Sequence, residues 1–164
     1  MNRHVTSRIA AFVIAFCVFA ADRWSKRMIE TSLAPDGLKP VIPGFFNLVR
    51  SENPGVAFGV FSDDTGRWHT PALVLFSVVA LVILAALLWK IDRLQRLSAV
   101  GLSLIFGGAL GNVYDRIRVG AVTDFLDFYV RTWHWYVFNL ADSAICIGAG
   151  LLLLSMFMTR EALQ

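Results

Sequence analysis

Long apolar runs alternate with two polar connections along this chain, and the runs have the length of membrane-crossing helices. Pro71 to Trp89 carries no charged residue and would rise ~28 Å as a helix. Leu97 to Val113 is similar and slightly shorter, and Val137 to Met158 contains a single charge, Asp142. Ile9 to Ala21 would rise only ~20 Å, short of the ~30 Å hydrocarbon core, unless the helix runs on through Asp22, Arg23, Trp24, Ser25 and Lys26 to Ile29. The pattern predicts an all-α membrane protein, one domain over 1–164, with four spans near 9–29, 71–89, 97–113 and 137–158. A cleaved signal peptide is the rival reading of the N-terminus, because Arg3 and Arg8 precede an apolar run that ends in Ala20 and Ala21. Helix-compatible sequence through Met28 and Ile29, and the need to partner an odd set of three spans, favour a retained helix.

The connection over 31–70 holds Pro35, Gly37, Pro40, Pro43, Gly44, Pro54 and Gly55 with short apolar runs between them, such as Phe45 to Val49. That punctuation predicts small strands joined by turns, a little sheet resting on the membrane face. The second connection, Tyr114 to Tyr136, ends in Trp133, His134, Trp135 and Tyr136, aromatics suited to an interfacial belt.

Composition sharpens this picture. Hydrophobic residues make up 57% of the 164 and charged residues only 16%, with a mean hydropathy of +0.62, outside the usual range of soluble domains. Cys17 and Cys146 fall inside spans, so they read as small buried apolar residues and not as a disulfide or metal ligands; bulky Phe16 argues against lipid attachment at Cys17. Four spans put both termini on one side, with Arg3, Arg8, Lys90, Arg93, Arg96 and Arg160 at that face and the other nine of 15 basic residues in or beside the long connections. Charge counting alone therefore leaves orientation open. The acidic residues are lopsided: only Asp92 and Glu161 of 12 lie at the terminal face. A net charge of +3 without a basic aromatic stripe excludes a nucleic-acid partner.

Helical geometry then gathers the polar residues at one end of the bundle. Asp22 and Lys26 are four apart and share a face, as do Asn112 and Arg116, while Asn139 and Asp142 are three apart at the start of the last span. Such groups are costly in lipid, and one reading makes them an interhelical network that holds the bundle, with Asp22 paired to Lys26 and Asp115 to Arg116 and Arg118. Asp124 and Asp142 ask for more. Phe125 and Phe128 surround one, Phe138 and Ala141 the other, and neither has a basic neighbour in sequence. Two carboxyls in one poorly solvated place share a proton more readily than both ionise. One can then act as base on a water while the other polarises a carbonyl.

Other chemistries have weaker material. His4, His69 and His134 lack ligand spacing, so no metal or other cofactor is expected. Ser25 and Lys26 are adjacent and do not face each other on a helix, and Ser143 has no partnered histidine. Gly107, Gly108 and Gly111 are spaced as a helix-packing face and not as a phosphate loop. A small proton-coupled transporter or channel subunit remains the alternative, with the carboxylates as a proton relay. It predicts polar residues strung through the bilayer midplane, whereas here they collect at one end.

Asp22-Arg-Trp-Ser-Lys26, Asn53-Pro-Gly-Val-Ala-Phe-Gly59, Gly111-Asn-Val-Tyr-Asp-Arg116 with Gly120-Ala-Val-Thr-Asp-Phe-Leu-Asp127, and Phe138-Asn-Leu-Ala-Asp142 occur in this order. Taken together they resemble the motifs of the lipoprotein signal peptidases, or signal peptidase II, four-span aspartic proteases of the bacterial inner membrane. The likeness covers most of the chain and departs only over Ser62 to Thr70 and Tyr129 to Tyr136. The resemblance implies that Asp124 and Asp142 are the catalytic pair. It further implies that Asn53, Gly55, Asn112, Arg116, Val122 and Asn139 bind substrate or orient the dyad, with Asp22 and Lys26 supporting the site. It implies as substrate a prolipoprotein with a diacylglyceryl-modified cysteine, cut on the N-terminal side of that cysteine in contact with membrane lipid, and inhibition by globomycin-type cyclic peptides. Both termini would then be cytoplasmic and the site periplasmic.

Overall fold

The computed structural model describes residues 3–55, 69–90 and 96–161. Val56 to Gly59 of the second motif, Ser62 to Trp68 and residues 91–95 lie outside the described residues. The first helix, α1 (Arg3–Ser32), runs unbroken through the Asp22 to Lys26 motif for 30 residues, about 45 Å. Then come strands β1 (Leu38–Ile42) and β2 (Phe46–Asn53), helices α2 (His69–Trp89) and α3 (Arg96–Val119), strands β3 (Val122–Val130) and β4 (Trp133–His134), and helix α4 (Leu140–Glu161).

Among the described residues, three helical segments have the length and apolarity to cross a membrane: Pro71–Trp89, Arg96–Val119 and Leu140–Met158, with mean hydropathies of 2.9, 1.5 and 1.9. Their outward faces are apolar; on α2, Leu75, Phe76, Val79, Val82 and Ile83 are all exposed. That surface would aggregate in water and is stable against lipid. Cys17 and Cys146 belong to it. Both are free and exposed, contrary to the expectation of burial, because in an apolar solvent a small apolar side chain gains little from turning inward.

Packing between helices relies on small residues. A Cβ at Gly107 would collide with the Ala15 carbonyl of α1, one at Gly108 would lie 2.5 Å from the Ala141 carbonyl of α4, and one at Gly111 would lie 2.5 Å from Asp22 Oδ2. The glycine face of α3 thus lets α1 and α4 approach to backbone distance, as its spacing predicted. Below it, Ala11, Leu88 and Leu102 form the buried apolar core, with Leu84, Ala99, Phe106 and Leu152 packed against them.

The sheet is antiparallel throughout, in the order β1-β2-β3-β4. The first connection supplies two strands, as its turns predicted; β3 was not legible, because Val122 to Val130 is buried on alternate and adjacent positions alike and carries two aspartates. Register brings Asn53 opposite Val122 and Ser51 opposite Asp124, across an irregularity between Leu48 and Ser51. Arg50, inside that irregularity, donates from Nη1 to the Glu30 and Leu33 carbonyls at 3.1 and 3.2 Å. It caps the C-terminal end of α1 and ties the sheet to the bundle.

Candidate active site

Asp124 enters from the sheet, Asp142 from a helix end, and asparagines join them. Phe138 forms a bridge with Leu126, its amide donating to the Leu126 carbonyl at 3.2 Å and its carbonyl accepting from Leu126 at 2.8 Å. This places Asn139 beside β3 just before α4 begins. Asn139 lies outside α4 and caps it: its Oδ1 accepts from the Asp142 amide at 2.9 Å, while Asp142 Oδ2 accepts from the Asn139 amide at 3.3 Å. This reciprocal pair is a capping box with an aspartate in its third position. From the same side chain, Nδ2 donates to Asp124 Oδ1 at 2.7 Å and to Asn112 Oδ1 at 3.3 Å. One fully buried asparagine therefore sets the spacing between the two carboxyls.

Asn53 holds Asp124 from the other side. The Gly55 amide donates to Asn53 Oδ1 at 2.9 Å, which leaves Nδ2 to donate to Asp124 Oδ2 at 3.1 Å. Gly55 has φ of 111°, a conformation that penalises any side chain, so its role is conformational. Val122, 2% exposed, packs under the strand pair as the register partner of Asn53.

Beneath the dyad sits a buried ionic cluster. Lys26 donates to Asn112 Oδ1 at 2.9 Å and forms ion pairs with Asp22 Oδ2 at 2.8 Å and Asp115 Oδ2 at 2.7 Å. With Oδ1 occupied by Lys26 and Asn139, Asn112 presents Nδ2 to Asp142 Oδ1 at 2.8 Å. Asp22 Oδ1 accepts from the Ala141 amide at 3.0 Å, so α1 helps cap α4. Asp115 does not pair with Arg116 or Arg118 as sequence adjacency suggested. It pairs across the bundle with Lys26 and with Arg23, whose guanidinium also lies over the Tyr114 ring at 4.9 Å. Neighbours on a helix diverge by about 100°, so a buried carboxylate turns to the partner its face meets.

Arg116, one turn beyond Asn112 on α3, is half-buried, and the charges of Asp142, Asp124 and Asp115 act on it. Its Nε is buried and has no hydrogen-bond partner in the structure. Asp124, 4% exposed, titrates well above an ordinary aspartate: burial is the largest cause and the Asp142 charge adds to it, while the Asn53 and Asn139 donors oppose, leaving it at about 6. Among the described residues, no group of three or more His, Cys, Asp or Glu is placed to hold a metal ion.

The family model described as signal peptidase (SPase) II matches residues 14–158. The chain belongs to the signal peptidase II family. Two relatives carry the name lipoprotein signal peptidase. That of Solibacter usitatus is 50% identical over 154 residues, covering 94% of each chain; that of Geobacter metallireducens is 42% identical over 149 residues, covering 91% of this chain and 90% of the relative. Two structures of a bacterial membrane enzyme, determined by the in meso method at 2.3 and 1.9 Å, superpose with TM-scores of 0.82 and 0.79. Each is 28% identical, and they cover 94% and 90% of this chain and 92% of their own.

In this chain, eight of the ten residues singled out from sequence enter one hydrogen-bonded and ionic network: Asp22, Lys26, Asn53, Gly55, Asn112, Asp124, Asn139 and Asp142. Val122 supports it by packing, and Arg116 borders it electrostatically. Sequence reasoning missed Arg23, whose position one turn before Arg27 on a polar motif gave no sign of its cross-bundle partner. A second pair also escaped it: Asp127 accepts from Asn47 Nδ2 at 2.8 Å and contacts His134 Nδ1 at 2.8 Å, joining three strands of the sheet.

Proposed function

We propose that this protein is an aspartic endopeptidase that removes signal peptides from diacylglyceryl-modified prolipoproteins, cutting on the N-terminal side of the lipidated cysteine, with Asp124 and Asp142 as the catalytic pair. The observation that carries the reading is the Asn139 bridge, a single buried residue hydrogen-bonded to both carboxyls. Charge balance supports one shared proton: with it in place, three carboxylates, Asp22, Asp115 and Asp142, face three cations, Arg23, Lys26 and Arg116.

Asp142 sits in the first turn of α4, where its Oδ2 accepts from the Asn139 amide and its Oδ1 from Asn112 Nδ2. In the proposed cycle it takes a proton from a water that attacks the scissile carbonyl carbon. Asp124 holds the shared proton and gives it to the carbonyl oxygen as the tetrahedral intermediate forms. Collapse breaks the C–N bond, the proton acquired by Asp142 passes to the leaving nitrogen, and Asp124 recovers its own from the intermediate's hydroxyl. Arg116 offers its planar fork to substrate backbone carbonyls, and Asn53 and Asn112 keep the carboxyls in register for attack.

We further propose that α1 makes a fourth crossing beside the three apolar helices, that the termini are cytoplasmic in a bacterial inner membrane, and that the site and sheet face the periplasm. A substrate anchored by two acyl chains and an apolar signal helix presents its scissile bond at the depth where Asp124 and Asp142 lie. The transporter reading finds no support: α2 has no ionisable residue between Pro71 and Trp89, and the polar network occupies one end of the bundle.

The direct experiment incubates purified protein with a lipidated precursor in the presence of EDTA. Freed signal peptide is the expected product; its absence, with activity restored by zinc, would show the carboxylates to be metal ligands instead of a proton-sharing pair. The pH profile gives a second check. Cleavage should decline on the alkaline side as the shared proton is lost, with the free enzyme's limb beginning near the Asp124 value of about 6. In Asn53→Ala the ionised form of Asp124 loses a donor, so the limb in kcat/KM should move to higher pH; a limb that stays put or moves lower removes Asp124 as its source.

A further inference from the structure

At the end of α1 away from the carboxylates, an apolar groove of about 530 Å³ opens between α1 and α2, lined by Arg8, Ile9, Phe12, Val13, Phe16 and Trp89. That volume lies within the ~300–1,000 Å³ of ordinary small-molecule sites. Its character is not that of an aqueous site. Ile9, Phe12, Val13, Phe16 and Trp89 are all exposed in the groove wall, and the one charged group is Arg8 at its terminal end. From Arg8 to Phe16 the groove descends about 12 Å along α1, close to the ~15 Å of one hydrocarbon leaflet.

The mouth is built for an anion. Arg8 lies 5.5 Å from the centroid of the Trp89 ring, which holds the guanidinium at the level where interfacial tryptophans sit. Basic residues recur at this end among the described side chains: Lys90 follows Trp89 at the end of α2, and Arg96 opens α3. On the other flank of α1 the chemistry repeats. Ser7, Ala10, Ala11 and Ile14 form a slot of about 230 Å³ with α3, and Arg96 stands in its wall. Both slots combine an apolar trough with an arginine whose fork fits a phosphate.

We propose that the α1–α2 groove is a binding site for an anionic phospholipid, one acyl chain lying along Ile9, Phe12, Val13 and Phe16 and the phosphate held by Arg8. Substrate is excluded by charge: a signal peptide begins with a basic segment, which would meet Arg8 and its basic neighbours with repulsion. The lipid would fill the space between α1 and α2 and so fix the half of α1 remote from the catalytic end.

Native mass spectrometry of the detergent-purified full chain tests this, with phosphatidylglycerol and phosphatidylcholine of identical acyl chains offered separately. Wild type should retain phosphatidylglycerol about fivefold more strongly, the effect of one basic residue near an anionic headgroup. Arg8→Gln should lose that preference, Arg8→Lys should keep most of it, and Val13→Trp, which fills the trough, should weaken retention of both lipids. Precursor cleavage near the wild-type rate certifies that each variant is folded. Equal retention of the two lipids by wild type overturns the proposal without recourse to any variant. So does retention unchanged in Arg8→Gln and Val13→Trp, or displacement of bound lipid by a signal-helix peptide, which would give the groove to substrate.

Discussion

Asp124→Asn and Asp142→Asn should each reduce precursor cleavage to background, a loss of at least ~10²–10⁴-fold, because an amide can neither take a proton from water nor return it. Neither change is structurally silent. Both oxygens of Asp124 accept from asparagine amides, and both oxygens of Asp142 accept from N–H groups. An Asn at either position must point its own NH₂ at one of these donors, at a cost of about 1–3 kcal/mol for the unmade bond. Part of that cost is offset by removing a buried charge, so both variants should fold with modestly altered thermal stability. Cleavage is therefore measured beside unfolding in the same detergent. Substantial turnover by a folded variant would take that aspartate out of the chemistry, whereas loss of cleavage together with loss of fold would point to the bundle-holding role.

The helices were legible because their solvent is lipid: a run such as Pro71 to Trp89 needs no partner pattern to declare itself, and its boundaries came within two residues. The site was legible for a related reason. Ionisable groups survive near a bilayer only where something satisfies or uses them, so Asp22, Lys26, Asn112, Asn139 and Asp142 stood out by spacing alone. What sequence could not convey was the route of each bond. Asp115 has two basic neighbours in the chain and bonds neither, because helical twist turns it toward α1. The strand β3 was obscured by its own carboxylates, since Asp124 and Asp127 interrupt the alternation by which strands are recognised. Asn139 read as part of a span opening at Val137 and is instead the cap of a helix that opens at Leu140, a difference that decides its role: outside the helix its side chain reaches back to Asp142 and across to Asp124 at once.

Lys26→Met should be the most destabilising single change in this protein outside its apolar core. Lys26 is fully buried, and among the described residues its ammonium is the ionic link between Asp22 on α1 and Asp115 on α3. Methionine matches the length of the stem but leaves two carboxylates in the interior with only Arg23 to answer Asp115. Breaking a buried network by removing one partner costs about 3–5 kcal/mol, far more than the intact pair contributes over an apolar replacement. For a chain of this size the shift in unfolding temperature is on the order of 10 °C. Function should suffer separately, because Asn112 Oδ1 loses the shorter of its two donors and keeps only Asn139 Nδ2 at 3.3 Å, so the amide that holds Asp142 is fixed less firmly. Asp22→Asn tests the electrostatic origin: it keeps an acceptor for the Ala141 amide and the shape that Gly111 accommodates, yet removes one unpaired charge. Added to Lys26→Met, it should restore part of the lost stability while cleavage stays low. A Lys26→Met protein that unfolds at the wild-type temperature, or a double variant no more stable than Lys26→Met, would show that the cluster does not hold the bundle through its charges.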